Sequence, residues 1–317
     1  MSQYTVEVGG MRSLADALKL LPQELHHDML PAERVLDLLQ TSKTMRKAVQ
    51  NAKVHAHVNV RRGVFFPDGL GLLENLNRLM AGCNVTVLNL RNCQLGDGGA
   101  RVMLEFLRRN TTLEKLNLLG NDIGDGGARA LAEALRSNTT LTSLDLARNI
   151  IRDGGAQALA EALRSNATLT SLDLAENRLR DAGRELAEAL RSNTTLTSLC
   201  LRNNCLGEDG AQALAEALHR NTTLTSLDLV ENIIGDGGAQ ALAEALHRNT
   251  TLRELKLSCN RIRDGGARAL AAALRRNTTL RELEIYWNQM GNDGRLALAD
   301  AMRLNTPRTV CTVLLEG

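Results

Sequence analysis

The chain has 317 residues, is 44% apolar and carries 38 basic against 36 acidic side chains. A balance this even excludes the broad positive field of a general polyanion binder. No run approaches the roughly 20 apolar residues of a membrane-spanning helix, and six cysteines without a Cys-x-x-Cys pair argue against a zinc or dithiol site.

In chain order, the opening MSQYTVEVGGMRSL has neither the basic start nor the apolar stretch of a secretory leader. A cytoplasmic or nuclear protein with reduced thiols is therefore expected. Residues 1–53 are expected to form a small helical cap, because the end of a repeat stack needs a polar cover. Within them Leu21-Pro22-Gln23-Glu24-Leu25 precedes an apolar helical stretch that ends in Ser42-Lys43-Thr44-Met45-Arg46. Leu21, Pro22, Glu24, Leu25, Leu38, Ser42, Lys43, Met45 and Arg46 together resemble an F-box. Met45 stands where that family has an aromatic residue, and Pro31 interrupts a spacing a few residues short. The resemblance implies a Skp-family linker protein as partner and a role as substrate adaptor of a ubiquitin ligase. Residues 54–84 read as a degenerate capping repeat, with a strand at His55–Val60 and a helix at Leu70–Met80.

Residues 85–307 then repeat one unit eight times, opening at Val85, Leu113, Leu141, Leu169, Leu196, Leu224, Leu252 and Leu280. Successive openings lie 28 residues apart except Leu169 to Leu196, which lie 27 apart. A period this strict defines a solenoid of stacked units. In the unit that opens at Leu141, the alternation of Leu144 and Leu146 predicts a short strand with both leucines inward and Ser143, Asp145 and Ala147 outward. Asn149 recurs at 121, 177, 204, 232, 260 and 288, with Cys93 in the first copy; a buried amide there would satisfy turning backbone. Asp153-Gly154-Gly155 predicts a helix start with the carboxylate near its first free amides. Ala156, Leu159, Ala160 and Leu163 fall at helical spacing, and Asn166 is expected to close the helix in a left-handed conformation. In the fourth copy the missing residue falls between Asn177 and Leu186, which predicts a shortened rim with the strand register kept. Residues 308–317 supply a closing strand, Thr309–Leu315.

The expected fold is an α/β leucine-rich-repeat solenoid, a horseshoe with parallel strands on the concave face and helices on the convex face. LTSLDL, the following Asn and GGAQALAEALRSN resemble the ribonuclease-inhibitor-like class of leucine-rich repeats, especially the uniform 28-residue type of NOD-like receptors. That resemblance implies protein binding and names no partner.

Candidate sites are the places where the repeats disagree or line the strand face. Asp145, Asp173 and Asp228 give the middle of that face a mild acidity, joined by Arg202, Lys256, Glu282 and Glu284. Tyr286 and Trp287 are the array's only Tyr and Trp, and exposed aromatics among charges are usual interface anchors. A ladder of arginines (108, 136, 164, 191, 220, 248, 275 and 303) follows acids three or four residues earlier, a neutralising pattern that speaks against nucleic acid. The seventh copy has Ala272 in place of its acid, which leaves Arg268, Arg275 and Arg276 less compensated. Asn-x-Thr sequons at 84, 110, 138, 166, 193, 221, 249 and 277 read as structural loop residues. The histidines, cysteines and carboxylates show no metal-ligand spacing, the Asp-Gly-Gly turns lack Gly-Lys-Ser/Thr, and no cofactor or catalytic set is expected. The Ran GTPase-activating protein is similar in its repeats, which offers GTPase activation as a further alternative through Arg61, Arg62 or Arg91; the acidic tail of that family is missing here. The reading is a non-catalytic protein-binding scaffold, expected to be monomeric and without a membrane partner.

Overall fold

The computed structural model describes residues 4–9, 55–60, 84–304 and 312–314. The repeats form β3 (Asn84–Asn89), α1 (Gly96–Arg109), β4 (Lys115–Asn117), α2 (Asp125–Ser137), β5 (Ser143–Asp145), α3 (Asp153–Ser165) and β6 (Ser171–Asp173). They continue with α4 (Gly183–Ser192), β7 (Ser198–Cys200), α5 (Gly207–Leu218), β8 (Ser226–Asp228), α6 (Asp236–Leu246), β9 (Glu254–Lys256), α7 (Asp264–Leu274), β10 (Glu282–Glu284) and α8 (Asn292–Leu304). Flanking strands are β1 (Tyr4–Gly9), β2 (His55–Val60) and β11 (Thr312–Leu314). All eleven lie in one sheet in sequence order. The eight strands of the repeats run parallel, each residue level with its counterpart in the next copy.

The expected capping strand at His55–Val60 is present and pairs parallel with β3, and the described part of the closing strand, Thr312–Leu314, pairs with β10. Tyr4–Gly9 lies inside the segment expected to be a helical cap, yet forms an antiparallel strand on β2. The F-box-like residues, from Leu21 to Arg46, lie outside the described residues, as do Arg61 and Arg62 and the expected helix at Leu70–Met80.

Each unit fills one layer of the core. Leu141, Leu144, Leu146, Ile151, Leu159 and Leu163 are all 0–1% exposed, and burial stabilises each by roughly 1.5–3 kcal/mol relative to exposure. The seventh position departs from strict alternation. Ala147, Ala175, Val230 and Ser258, expected outward, are buried, because the strand ends two residues earlier and the chain is already turning. The turn passes through a left-handed residue in every copy, just before the recurrent Asn: Asn92, Gly120, Arg148, Glu176, Asn203, Glu231, Cys259 and Trp287.

The recurrent Asn side chains knit one copy to the next. Asn149 Nδ2 donates to the carbonyls of Leu118, Leu146 and Ala147 at 3.1, 2.9 and 3.1 Å. Its Oδ1 accepts from the amides of Asn121 and Ile123, both at 3.0 Å. A second ladder runs along the helix starts, and here the expected capping is corrected. Asp125 caps the next copy's helix and makes no capping bond to its own: its Oδ1 accepts from Arg152 N at 2.8 Å and Gly155 N at 2.9 Å. Asp236 and Asp264 do the same to the copies that follow them. The second glycine of the turn is required by this packing: a Cβ on Gly155 would stand 2.8 Å from Asp125 Oδ1 and 2.9 Å from both Ala128 Cβ and Ile151 Cγ2.

The helix-closing Asn is corrected as well. Asn166 has φ −75° and ψ 126°, an extended conformation. Its role is carried by the side chain, whose Oδ1 accepts from Thr168 N and Leu169 N at 3.1 and 2.7 Å while Nδ2 donates to Leu135 O at 2.7 Å. The same arrangement holds at Asn138, Asn193, Asn221, Asn249 and Asn277, all buried. The nitrogen that a glycan would need is therefore spent inside the protein at these six sequons.

The short fourth copy keeps its strand register, with Leu172 level with Leu199 and Asp173 with Cys200. The deficit is absorbed on the rim, as the sequence predicts, by a 3-10 turn at Arg180–Ala182 and a helix of only 10 residues.

A candidate protein-binding face and rim

Asp145, Asp173 and Asp228 stand half-buried at the ends of β5, β6 and β8. Each turns Oδ1 back to the amide two residues on, at 3.0, 2.8 and 2.9 Å, and Asn89 and Asn117 make the same bond in their copies. Five of the eight copies thus use a side-chain oxygen at this position to tie down the turn. The negative charge is not needed for this, since Asn serves equally. Burial pushes the Asp145 and Asp228 carboxyls above the ordinary range despite these bonds, and for Asp145 the neighbouring Asp173 adds to the rise. Cys200, between the acids, is pushed well above a normal thiol, first by burial and then by Asp173.

The sign of these shifts gives a prediction. A carboxyl whose folded pKa is raised holds more protons folded than unfolded, so stability falls as pH rises through the window just above the usual aspartate value of about 3.9. The triple variant Asp145→Asn/Asp173→Asn/Asp228→Asn keeps the turn bonds and removes the charge. It is expected to melt above the parent at pH 7, with the gain vanishing near pH 3; a gain that persists at pH 3 would show another cause.

Towards the C-terminal edge the face becomes a compact charged cluster. Lys256 Nζ lies 3.2 Å from Glu284, whose carboxylate is buried although the sequence placed it outward. Burial alone would lower Lys256; the Glu284 hydrogen bond and the charges of Glu284, Asp228 and Glu282 outweigh it and hold the ammonium above its usual value. Arg202 pairs with Glu231 at 2.9 Å. Glu282 is level with Glu254, which accepts a 3.0 Å hydrogen bond from Ser226 Oγ.

Tyr286 and Trp287 do not share one surface. Tyr286 is half-buried just past β10, and its hydroxyl is held above the ordinary phenol value chiefly by its hydrogen bond to Glu284. Trp287 occupies the left-handed position with φ +56°, and is 68% exposed on the loop rim beside Cys259 and Ile233. Its rim neighbours escaped the sequence reading. They become visible only when the residues on either side of the recurrent Asn are aligned as columns, which the strand pattern does not prompt.

The arginine ladder crosses between helices more than the sequence implies. Arg108 meets Glu105 of its own helix at 3.2 Å and also Glu133 of the next. Arg136 pairs with Glu161 of the next helix at 3.0 Å, and Arg191 with Glu188 of its own at 2.9 Å. In the seventh copy Arg268 reaches Asp293 at 3.7 Å, while Arg275 and Arg276 make no ion pair among the described residues. Cys93, Cys200, Cys205 and Cys259 are free thiols. Among the described residues no cluster of His, Cys, Asp or Glu has the arrangement of a metal site, and no helix is long and apolar enough to cross a membrane.

The repeats are leucine-rich repeats stacked as an α/β solenoid. The leucine-rich-repeat family model matches residues 83–104, 109–132, 137–160, 165–186 and 276–299, and the model of the TMOD/LMOD leucine-rich domain matches residues 182–261. Among solved structures, the leiomodin-1 domain described as actin-binding site 2 is 20% identical, covering 64% of this chain and 86% of that one, with a TM-score of 0.34. A tropomodulin C-terminal domain from Caenorhabditis elegans is 18% identical over 39% of this chain and 75% of its own, also with a TM-score of 0.34. No curated protein sequence matches the chain.

Proposed function

We propose that the chain is a non-catalytic protein-binding module whose partner lies against the strand face and its C-terminal edge. The observation that carries this reading is Trp287. A bulky residue in the left-handed region costs roughly 1–2 kcal/mol, the equivalent position in the second copy is Gly120, and here the largest side chain of all stands there mostly exposed. Neither packing nor backbone geometry favours it, whereas a desolvated tryptophan is the commonest kind of interface anchor. The strand face, with its acids and the Lys256–Glu284 pair, adjoins the rim on which Trp287 stands, so a partner anchored at the rim has a polar surface beside it.

The test uses Trp287→Gly, which removes the side chain and suits the backbone. Its melting temperature is expected to equal or exceed the parent's, while capture of partner proteins, measured by quantitative mass spectrometry, falls at least about tenfold, as for loss of a hot-spot residue. Undiminished capture by both a normally folded Trp287→Gly protein and the Asp145→Asn/Asp173→Asn/Asp228→Asn protein would remove the reading.

A further inference from the structure

Trp287 forms one wall of a shallow groove of about 470 Å³ on the loop rim. Cys205, Ile233, Cys259 and Trp287 provide its apolar surface, with Glu231 and Arg261 at its edge. The groove is built by register. In each copy the residue before the recurrent Asn takes the left-handed turn and the residue after it flanks the rim, so these side chains come from two columns running across four copies. Backbone bonds between neighbouring copies, Glu231 N to Ser258 O and Cys259 N to Tyr286 O, both 3.0 Å, hold the columns at fixed spacing. In earlier copies the same two columns are mostly polar or charged, with Asn92, Gln94, Asp122, Arg148, Glu176 and Arg178. Here Ile233 is 41% exposed and Trp287 68%, an apolar surface that no described residue covers.

The charges around it are one-sided. Glu231, the carboxylate at the groove's edge, is neutralised by Arg202 at 2.9 Å. Arg261 is exposed and makes no ion pair among the described residues, and the Arg263 guanidinium beside it donates to the neutral Gln289 Oε1, at 3.4 Å. The groove therefore joins an apolar floor to uncompensated positive charge, while the strand face next to it carries Asp145, Asp173 and Asp228. A ligand suited to one of these surfaces is repelled by the other.

We propose that this rim groove binds a linear segment of the partner protein in which a bulky apolar residue is flanked by carboxylates, the apolar side chain lying between Ile233 and Trp287 and a carboxylate meeting Arg261. The proposal rests on the protein-binding reading and assigns it a second surface and a class of ligand. Carboxylate pairing with a guanidinium can be bidentate and supplies orientation as well as attraction, and the aromatic face supplies contact area at little entropic cost.

The experiment is selection of a random 12-residue peptide display library on the full-length protein. Recovered peptides are synthesised and titrated against the parent, Arg261→Glu, Trp287→Gly and the triple Asp→Asn strand-face variant. Binding is read by an extrinsic label and, because Trp287 is the chain's only tryptophan, by its emission. The expected peptides carry Asp or Glu beside Leu, Ile, Phe or Trp, shift Trp287 emission to the blue, lose at least tenfold in affinity on Arg261→Glu and on Trp287→Gly, and keep their affinity for the strand-face variant. Basic peptides that fail only on the strand-face variant would overturn the groove and leave the protein-binding reading standing. Peptides indifferent to all three variants, or no recovered peptide at all, would overturn the groove; the partner-capture experiment then decides the broader reading separately.

Discussion

Replacing Asn149 with alanine is expected to destabilise the array by about 3–5 kcal/mol, close to the ceiling for a single substitution. The side chain makes five hydrogen bonds in a dry layer, accepting from Asn121 N and Ile123 N and donating to the carbonyls of Leu118, Leu146 and Ala147. Alanine removes both ends of the amide and leaves the backbone partners of two copies buried and unpaired, which costs far more than a bond lost at the surface. Asn149→Asp separates the contributions: it can still accept from the two amides, but it sets a carboxylate oxygen against three carbonyls, so it should be at least as damaging at neutral pH. Gln157→Ala, exposed on α3 of the same copy, serves as control and should stay within about 0.5 kcal/mol of the parent. Urea denaturation followed by circular dichroism is the measurement, and an Asn149→Ala midpoint equal to that of the control would show that the ladder does not hold the copies together.

The residues of that ladder were legible in the sequence because their spacing is rigid and because only one geometry serves a buried amide in every copy. The inward leucines, the helix faces and the register across the short fourth copy were legible for the same reason: a repeat constrains each position many times over. What failed to be read were relations between copies. Nothing in Asp-Gly-Gly says that the carboxylate caps the following helix rather than its own, since both sets of free amides lie within reach of an aspartate at that point. Asn166 at the end of a helix suggested a left-handed cap, whereas the structure uses the side chain and leaves the backbone extended. The alternation of a strand was extended to the seventh position, but a strand of three residues alternates only over three, so Ala147, Ala175, Val230 and Ser258 turn inward. At the candidate site the sequence drew attention to Tyr286 and Trp287 as one patch. The turn between them separates the two, sending tyrosine towards Glu284 and tryptophan to the rim, where Ile233 and Arg261 give it a different setting.

Restoring the missing residue of the fourth copy is expected to stabilise the array and to merge its two halves into one cooperative unit. The deletion leaves marks on both ladders. Asn204 Oδ1, fully buried, has no hydrogen-bond partner, whereas the corresponding oxygens of Asn121, Asn149, Asn177, Asn232, Asn260 and Asn288 each accept from the preceding copy. Asp153, deprived of the usual spacing, reaches Asp181 N and Ala182 N at 3.1 and 3.2 Å, longer than the 2.8–2.9 Å of Asp125 to Arg152 and Gly155. Arg180 is held at φ +23°, where the first and fifth copies place Gly96 and Gly207 at φ +55° and +67°. Glu185 Oε2 is buried without a partner on the shortened helix. In a stack where each copy touches only its neighbours, the two junctions that flank the fourth copy are thus the weakened contacts, and stability sums over such contacts. Replacing Asp181-Ala182-Gly183 with Asp-Gly-Gly-Ala adds one residue and reproduces the helix entry Asp153–Ala156 of the third copy. It should return two donors to Asn204 and raise stability by about 2–4 kcal/mol, while Arg180→Gly in the parent should recover about 1 kcal/mol by relieving the backbone alone. Hydrogen exchange reads the result locally: amides of residues 178–186 should exchange faster than those of 150–159 in the parent and at the same rate after insertion. If the inserted chain melts below the parent, the fourth copy is a well-packed unit in its own right and the interrupted ladders cost it nothing.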